Sequence, residues 1–208
     1  MSCEHLHPAR RSRLARLPLC ALAAALALSI GVATPAGAAS KDVDRIRYQG
    51  SEQCDNGRLL QHAKGTSTLE ITETSADGQA FLAHQFAQIT NSFNLRGQRF
   101  TVTLDIEYVE TSMTKLDADD PRLVGVDYVG PVYEFEAYQL TTVTARTSAG
   151  TIVPEYTESD VRTDFLDVFD TLGDFTPGAE FISGESSGPV PAYFDASGCD
   201  VAAAAAQV

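Results

Sequence analysis

The segment "RFTVTLDIEYVE", residues 99–110, alternates apolar and polar side chains with a period of two. Its apolar members share one parity: Phe100, Val102, Leu104, Ile106 and Tyr108. Successive side chains of a β-strand point to opposite faces of the sheet, whereas a helix would distribute these residues around its axis. The segment therefore predicts a strand with one buried and one solvated face.

Weaker alternation predicts further strands at "STLEITET" and at residues 132–146, "VYEFEAYQLTTVTAR". Gln139 and Thr141 interrupt the apolar face of the second segment, which predicts a bend or bulge near residues 138–142. Gly78 and Gly150 can adopt positive φ beside β-rich flanks, which predicts hairpin turns there. Shorter strand candidates are "RIRY", "RLVGVDYV", "TIVPEY" and "AEFI".

Residues 79–93, "QAFLAHQFAQITNSF", fit two structures. Leu82, Phe86, Ile89 and Phe93 have helical spacing, whereas the Asp77-Gly78 turn after a strand favours a hairpin partner. We expect a strand.

Residues 160–173, "DVRTDFLDVFDTLG", predict a helix. Ser159 or Asp160 would cap its start and Gly173 would end it. Steps of three and four separate its apolar residues: Val161, Phe165, Val168, Phe169 and Leu172. The predicted fold class is all-β, an antiparallel sandwich or small barrel with this one amphipathic helix packed on the sheet.

The N-terminus has the order of an export signal: four Arg residues, an apolar run, and then "TPAGAAS". We expect residues 1–38 to be cleaved and the protein to be secreted, periplasmic or otherwise in the cell envelope. Arg10 and Arg11 leave a twin-arginine signal open beside the ordinary secretion route. Residues 39–199 are expected to form a single β-rich domain, followed by a flexible Ala-rich tail at 200–208 in which nothing caps or anchors a helix.

Cleavage would leave two cysteines, Cys54 and Cys199. In an oxidising compartment this pair predicts one disulfide joining the two ends of the domain. Two cysteines so far apart do not form a zinc motif.

The chain carries a net charge of −13, and removal of residues 1–38, which hold four Arg and one Glu, changes it to −16. No run of basic residues follows the signal, which argues against nucleic-acid and anionic-lipid partners. No transmembrane span is expected after cleavage. The candidate partners are a small apolar ligand or another protein, and the oligomeric state is left open.

"GESSG", residues 184–188, matches the G-x-S-x-G pattern of a hydrolase nucleophile. Pro189 and Pro191 follow where the elbow needs a helix, and no histidine follows Ser186 to act as its base. We therefore predict no catalytic residue here.

Other site candidates are weaker. His62 and His84 lack metal-ligand spacing, and "LDADDPRL" departs from a calcium loop after Asp117 and Asp119. We predict no metal and no cofactor. Four acids could cluster if their strands are neighbours: Asp105, Glu107, Glu134 and Glu136.

These observations favour an exported, non-enzymatic binding or structural module outside the cytoplasm. Three alternatives stay open: a barrel that carries a small ligand, a hydrolase that uses paired carboxylates, and a calcium-stabilised surface module.

Overall fold

Seven strands form one antiparallel sheet in the computed structural model, which describes residues 41–171 and 180–208. The predicted signal, residues 1–38, lies outside the described residues. The strands are β1 Lys41–Cys54, β2 Gly57–Thr74, β3 Phe81–Leu95, β4 Gln98–Lys115, β5 Val132–Thr147, β6 Glu158–Asp170 and β7 Glu180–Ser187.

Each strand pairs with the next one along the chain, so the spatial order equals the sequence order. The all-β class is confirmed. Where the sequence left a sandwich and a barrel open, the described residues form a single open sheet with β1 and β7 at its edges.

The alternation over residues 99–110 is confirmed in β4. Phe100, Val102 and Leu104 are buried, while Thr101 and Thr103 on the other parity are partly exposed. We call the face that carries the buried set the core face and the opposite one the outer face. The same two faces can be followed across the sheet, because the pairing register sets core-face residues of one strand opposite core-face residues of the next.

The strand expected over residues 79–93 is confirmed as β3. The hairpin turn before it places Gly78 at φ +71°. Phe93 stacks on Phe100 of β4 with ring centroids 4.7 Å apart. Phe86, which a helical stripe would bury, lies on the outer face with 46% of its surface exposed.

The helix predicted over residues 160–173 is wrong, because β6 occupies Glu158–Asp170. Its apolar residues serve both faces of the sheet: Phe169 packs with Phe135 on the core face, and Val168 packs with Leu123 on the outer face. The β4–β5 connection, which contains Leu123, covers that end of the outer face. Because apolar residues of β6 are buried on both faces, its sequence does not alternate, and its apolar residues are three and four positions apart instead.

The bulge predicted near residues 138–142 is confirmed by the pairing of β5 with β6, whose register shifts between Thr141 and Val143.

The C-terminal segment packs on the core face through two helices, α1 Ala192–Asp195 and α2 Gly198–Ala205. Ser197 and Asp200 form a capping box at the start of α2. Val201 is fully buried against the sheet. The expectation that nothing caps or anchors the run at 200–208 is therefore wrong.

The main core lies between this segment and strands β2–β5. Asn91 of β3 donates a hydrogen bond to the hydroxyl of Tyr193 across 2.9 Å, and both side chains are buried. The largest fully buried aliphatic side chains are Leu59, Ile89, Val102, Leu104, Val143, Val153 and Val201. Each contributes about 1.5–3 kcal/mol by its burial.

Cys54 and Cys199 lie at disulfide distance, with their Sγ atoms 2.01 Å apart. The pair links the end of β1 to α2. No helix of the described ranges 41–171 and 180–208 is long and apolar enough to cross a bilayer.

Replacing both cysteines, Cys54→Ser with Cys199→Ser, should destabilise the fold. The pair closes a separation of 145 residues. Its loss should lower the free energy of unfolding by up to about 5 kcal/mol, because the unfolded chain regains loop entropy. Urea unfolding measures this change, and reduced wild-type protein is the matched control. Equal unfolding midpoints for oxidised wild type and the double variant would contradict a stabilising link.

Candidate ligand site on the core face

Ser186 does not form a nucleophile elbow. It lies inside β7, opposite Phe165 of β6, where the chain is extended rather than turned. His62 and His84 occupy outer-face positions on β2 and β3. No strand–turn–helix therefore positions Ser186, and the sheet separates it from both histidines.

The four acids singled out from the sequence do not converge. β4 and β5 are neighbours, but the register sets Glu107 opposite Leu140 and Glu136 opposite Ser112 on the outer face. Each acid has its own partner: Asp105 accepts from Gln88 at 2.7 Å, Glu107 contacts His84 at 2.8 Å, Glu136 accepts from Ser112 at 3.0 Å, and Glu134 pairs with Arg122.

The acidic loop before Pro121 has no calcium-like arrangement. Asp117 and Asp119 are exposed, and the carboxylate of Asp120 accepts hydrogen bonds from Arg122. Within the described part of the chain, no group of three or more His, Cys, Asp or Glu side chains is positioned to hold a metal ion.

A different pair of acids, Glu110 and Asp167, lies on the core face. Glu110 of β4 pairs with Ala137 of β5, and Asp167 of β6 pairs with Phe135 two residues away. The two carboxylates therefore lie on either side of β5, offset by two residues along the strands. The small side chain of Ala137 lies between their strands. We call Glu110 and Asp167 the acid pair.

Glu110 reaches back to β3, where one carboxylate oxygen accepts a hydrogen bond from the backbone N–H of Ala83 at 2.7 Å. Burial raises the pKa of Glu110 to about 7. The Ala83 hydrogen bond lowers the pKa and the negative charge of Asp167 raises it, both to a smaller extent. Glu110 can therefore exchange a proton near neutral pH.

Asp167 occupies the space that a side chain at Gly184 would fill. The two residues are opposite each other in the β6–β7 pairing, and a Cβ built on Gly184 would overlap Oδ1 of Asp167. Burial raises the pKa of Asp167 to about 6. Gly184 is therefore required for this position of the carboxylate.

Two aromatic rings flank the acid pair. Tyr108 and Phe165 lie with their ring centroids 6.1 Å apart, and each precedes the acid of its own strand by two residues. Burial, followed by the charges of Glu110 and Asp167, raises the pKa of the Tyr108 hydroxyl. The acids therefore face a partly apolar environment that penalises their charged forms.

Polar side chains continue from the acid pair along the core face. Gln85 donates to the hydroxyl of Ser67 at 2.8 Å, and Gln139 donates to the hydroxyl of Thr141 at 2.8 Å. This polar region separates the core beneath α1 and α2 from a smaller apolar cluster containing Leu82, Tyr133 and Phe135.

A cleft of about 520 Å³ opens beside that smaller cluster, at the β2–β3 turn. Its central residue is Asp77, which accepts from Tyr133 at 2.6 Å, Lys115 at 2.7 Å and Ser75 at 2.8 Å. These bonds, the one from Lys115 first, hold the pKa of Asp77 well below its usual range. Because its carboxylate is fully engaged, Asp77 fixes the turn and offers little to a ligand.

The acid pair could have been found in the sequence. Glu110 continues the apolar parity of Phe100 to Tyr108, and a carboxylate at such a position is expected to be buried. Asp167 has the parity of Phe165 and Phe169, but the helix prediction concealed that relation.

No family model matches the chain, and no curated protein or solved structure matches it. Function is therefore inferred from the residues of this chain alone.

Stability should fall as pH rises from about 4 to 7. The pKa of Glu110 is raised to about 7 and that of Asp167 to about 6. Their protons are bound more tightly in the folded protein than in the unfolded chain, so this contribution is complete below the unfolded pKa and is lost as pH passes the folded pKa. The loss should be on the order of 2 kcal/mol once partial exposure is allowed for.

Urea unfolding of wild type and of Glu110→Gln with Asp167→Asn measures this dependence. The double variant should lose most of it, whereas Glu136→Gln, at an exposed outer-face position, should retain it. An identical pH dependence in wild type and double variant would contradict the assignment.

Proposed function

We propose that this protein is an exported, non-enzymatic binding domain that holds a small amine with an apolar body against the acid pair. Export is supported by the signal-like N-terminus and by the cysteine pair at disulfide distance. The ligand class is supported by the chemistry around Glu110 and Asp167.

The observation that carries the proposal is a pair of half-buried carboxylates without a cation. In the described ranges, neither Glu110 nor Asp167 forms an ion pair with a Lys or Arg, although Lys115, Arg122 and Arg162 each pair with another acid. Buried acids are normally paired, because an uncompensated charge in an apolar environment is costly.

A ligand ammonium group would supply the missing charge. It would favour the ionised carboxylates, lower both pKa values and release protons on binding. The rings of Tyr108 and Phe165 offer apolar contact and can attract a cation over their faces. Because two carboxylates lie beside these rings, an aromatic or aliphatic amine fits the site better than a wholly apolar molecule does.

The same pair favours one alternative, a hydrolase that uses two carboxylates. A carboxylic acid with its pKa near neutrality can donate a proton at a glycosidic oxygen while a second carboxylate assists. Release of nitrophenol from p-nitrophenyl glycosides by wild type, but not by Glu110→Gln, would establish this alternative and contradict the non-enzymatic proposal.

Benzylamine, which combines a primary amine with a ring, is a suitable probe for NMR titration. Wild type should bind it at ~pH 8, where both acids are ionised, and at least about ten-fold more weakly at ~pH 5, where both are protonated. Glu110→Gln and Asp167→Asn should each weaken binding at the higher pH by about ten-fold or more.

Gly184→Ala tests the geometry separately from the charge. The added Cβ displaces the Asp167 carboxylate without neutralising it, so binding should weaken while the net charge is unchanged. Glu136→Gln is the matched control and should bind as wild type does. Equal affinity of all variants for benzylamine, or no binding by wild type at the higher pH, would exclude the acid pair as an amine site.

A further inference from the structure

Six cations are gathered on one half of the outer face, the half near the β1–β2 and β3–β4 turns. All six are exposed and occupy outer-face positions of β1, β2, β4 and β5: Arg45, Arg47, Arg58, Lys64, Arg99 and Arg146. We call this surface the basic face. The chain as a whole has a net charge of −13. These cations are therefore concentrated on one surface of an acidic protein.

The pairing register excludes acids from the centre of this surface. Three adjacent rows cross the strands there and contain no Asp or Glu. Their residues are Arg47, Lys64, Thr90, Thr103 and Thr144 in the first row; Gln49, His62, Ser92, Thr101 and Arg146 in the second; and Ser51, Leu60, Asn94 and Arg99 in the third.

These cations have no acidic partner among the described residues, and the bonds they make are to neutral groups. Arg58 donates to the hydroxyl of Ser51 at 2.8 Å, and Arg146 donates to the carbonyl of Gly150 at 3.1 Å. By contrast, Arg162 on the same face of β6 is bonded to Asp164 at 2.7 Å. The basic face thus retains its positive charge for an external anion.

The basic face is large enough for its own charges to dominate the electrostatic potential close to it. Five strands extend about 20 Å across the sheet and the three rows span about 13 Å along the strands, given ~4.8 Å between strands and ~3.3 Å per residue. The acidic remainder of the molecule is screened beyond a Debye length of about 8 Å at physiological salt. A polyanion on the face would therefore experience mainly its cations.

The neutral side chains narrow the class of partner. Between the cations lie hydroxyls and amides of Thr, Ser, Asn and Gln, which can bond to sugar hydroxyls, and the three rows contain no Phe, Tyr or Trp. Single-stranded nucleic acids are held by aromatic stacking, and duplex reading requires an element that enters a groove. A second copy of this chain is disfavoured because several outer-face acids already have partners within the protein: Asp105, Glu107, Glu136 and Asp164.

We propose that the basic face binds an acidic polysaccharide, with Arg and Lys on its carboxylate or sulfate groups and the Thr and Ser hydroxyls on its sugar ring. This site lies on the opposite side of the sheet from the acid pair and is independent of the amine-binding proposal. Guanidinium groups bind planar anions through paired hydrogen bonds, which gives a fixed geometry as well as charge attraction.

Heparin, a sulfated polysaccharide containing uronate, is the probe, and binding is measured by calorimetry at about 0.15 M salt. Wild type should bind it, with affinity that falls steeply as salt increases. The triple variant Arg47→Gln, Lys64→Gln and Arg146→Gln should bind on the order of 100-fold more weakly, because each of the three lost cations contributes to the attraction by an anionic surface.

Arg162→Gln is the control for loss of a cation outside the basic face, since it removes one exposed but already paired cation from the same side of the sheet. It should change heparin affinity by no more than about two-fold. Circular dichroism checks that each variant is folded. Two further arms use a single-stranded oligothymidylate and vesicles of phosphatidylcholine with phosphatidylserine, and both should bind more weakly than heparin. Failure of wild type to bind heparin, an unchanged triple variant, or equal or tighter binding of either competitor would overturn the proposal.

Discussion

The structure depends on burial of the core face of strands β2–β5 beneath the C-terminal segment. A single sheet has two faces, and a chain of this length must cover one of them to bury enough apolar surface. Here α1 and α2 fold back over the sheet, Val201 and Tyr193 enter the core, and the cysteine pair joins α2 to the end of β1. Residues of α1 and α2 are thus part of the core.

The same arrangement explains why the acid pair can exist. The C-terminal segment covers one end of the core face and the cluster around Phe135 occupies the other, and the acid pair lies between these two apolar clusters. Asp170, only three residues from Asp167, is buried too, but it accepts hydrogen bonds from the backbone N–H groups of Val129 and Gly130 at 2.6 and 2.9 Å. Asp170 is therefore structural, because the chain itself supplies its hydrogen-bond donors. The acid pair has no Lys or Arg partner among the described residues, which leaves it to a ligand.

Particular residues show how far the sequence predicted the fold. Period-two patterns located β4 and the β5 bulge because these strands have one apolar face, whereas β3 was inferred from the Asp77-Gly78 turn before it. β6 was missed because Val168 and Phe169 are buried on opposite faces, and α2 was underestimated because alanines carry little pattern. The basic face has no linear signal: its cations lie on four strands and meet only through pairing register. The acid pair had a signal in the parity of Glu110, but its partner depended on assigning β6 correctly.

The two faces of the sheet therefore carry opposite chemistry, with uncompensated acids on the core face and uncompensated cations on the outer face. The most direct test of the acid pair follows the side-chain carboxyl carbons of Glu110 and Asp167 by carbon-13 NMR during a pH titration. We expect midpoints near 7 for Glu110 and near 6 for Asp167. Midpoints near 4 for both, the usual value for solvated carboxyls, would show that the sheet does not bury them and would remove the basis for a ligand site there.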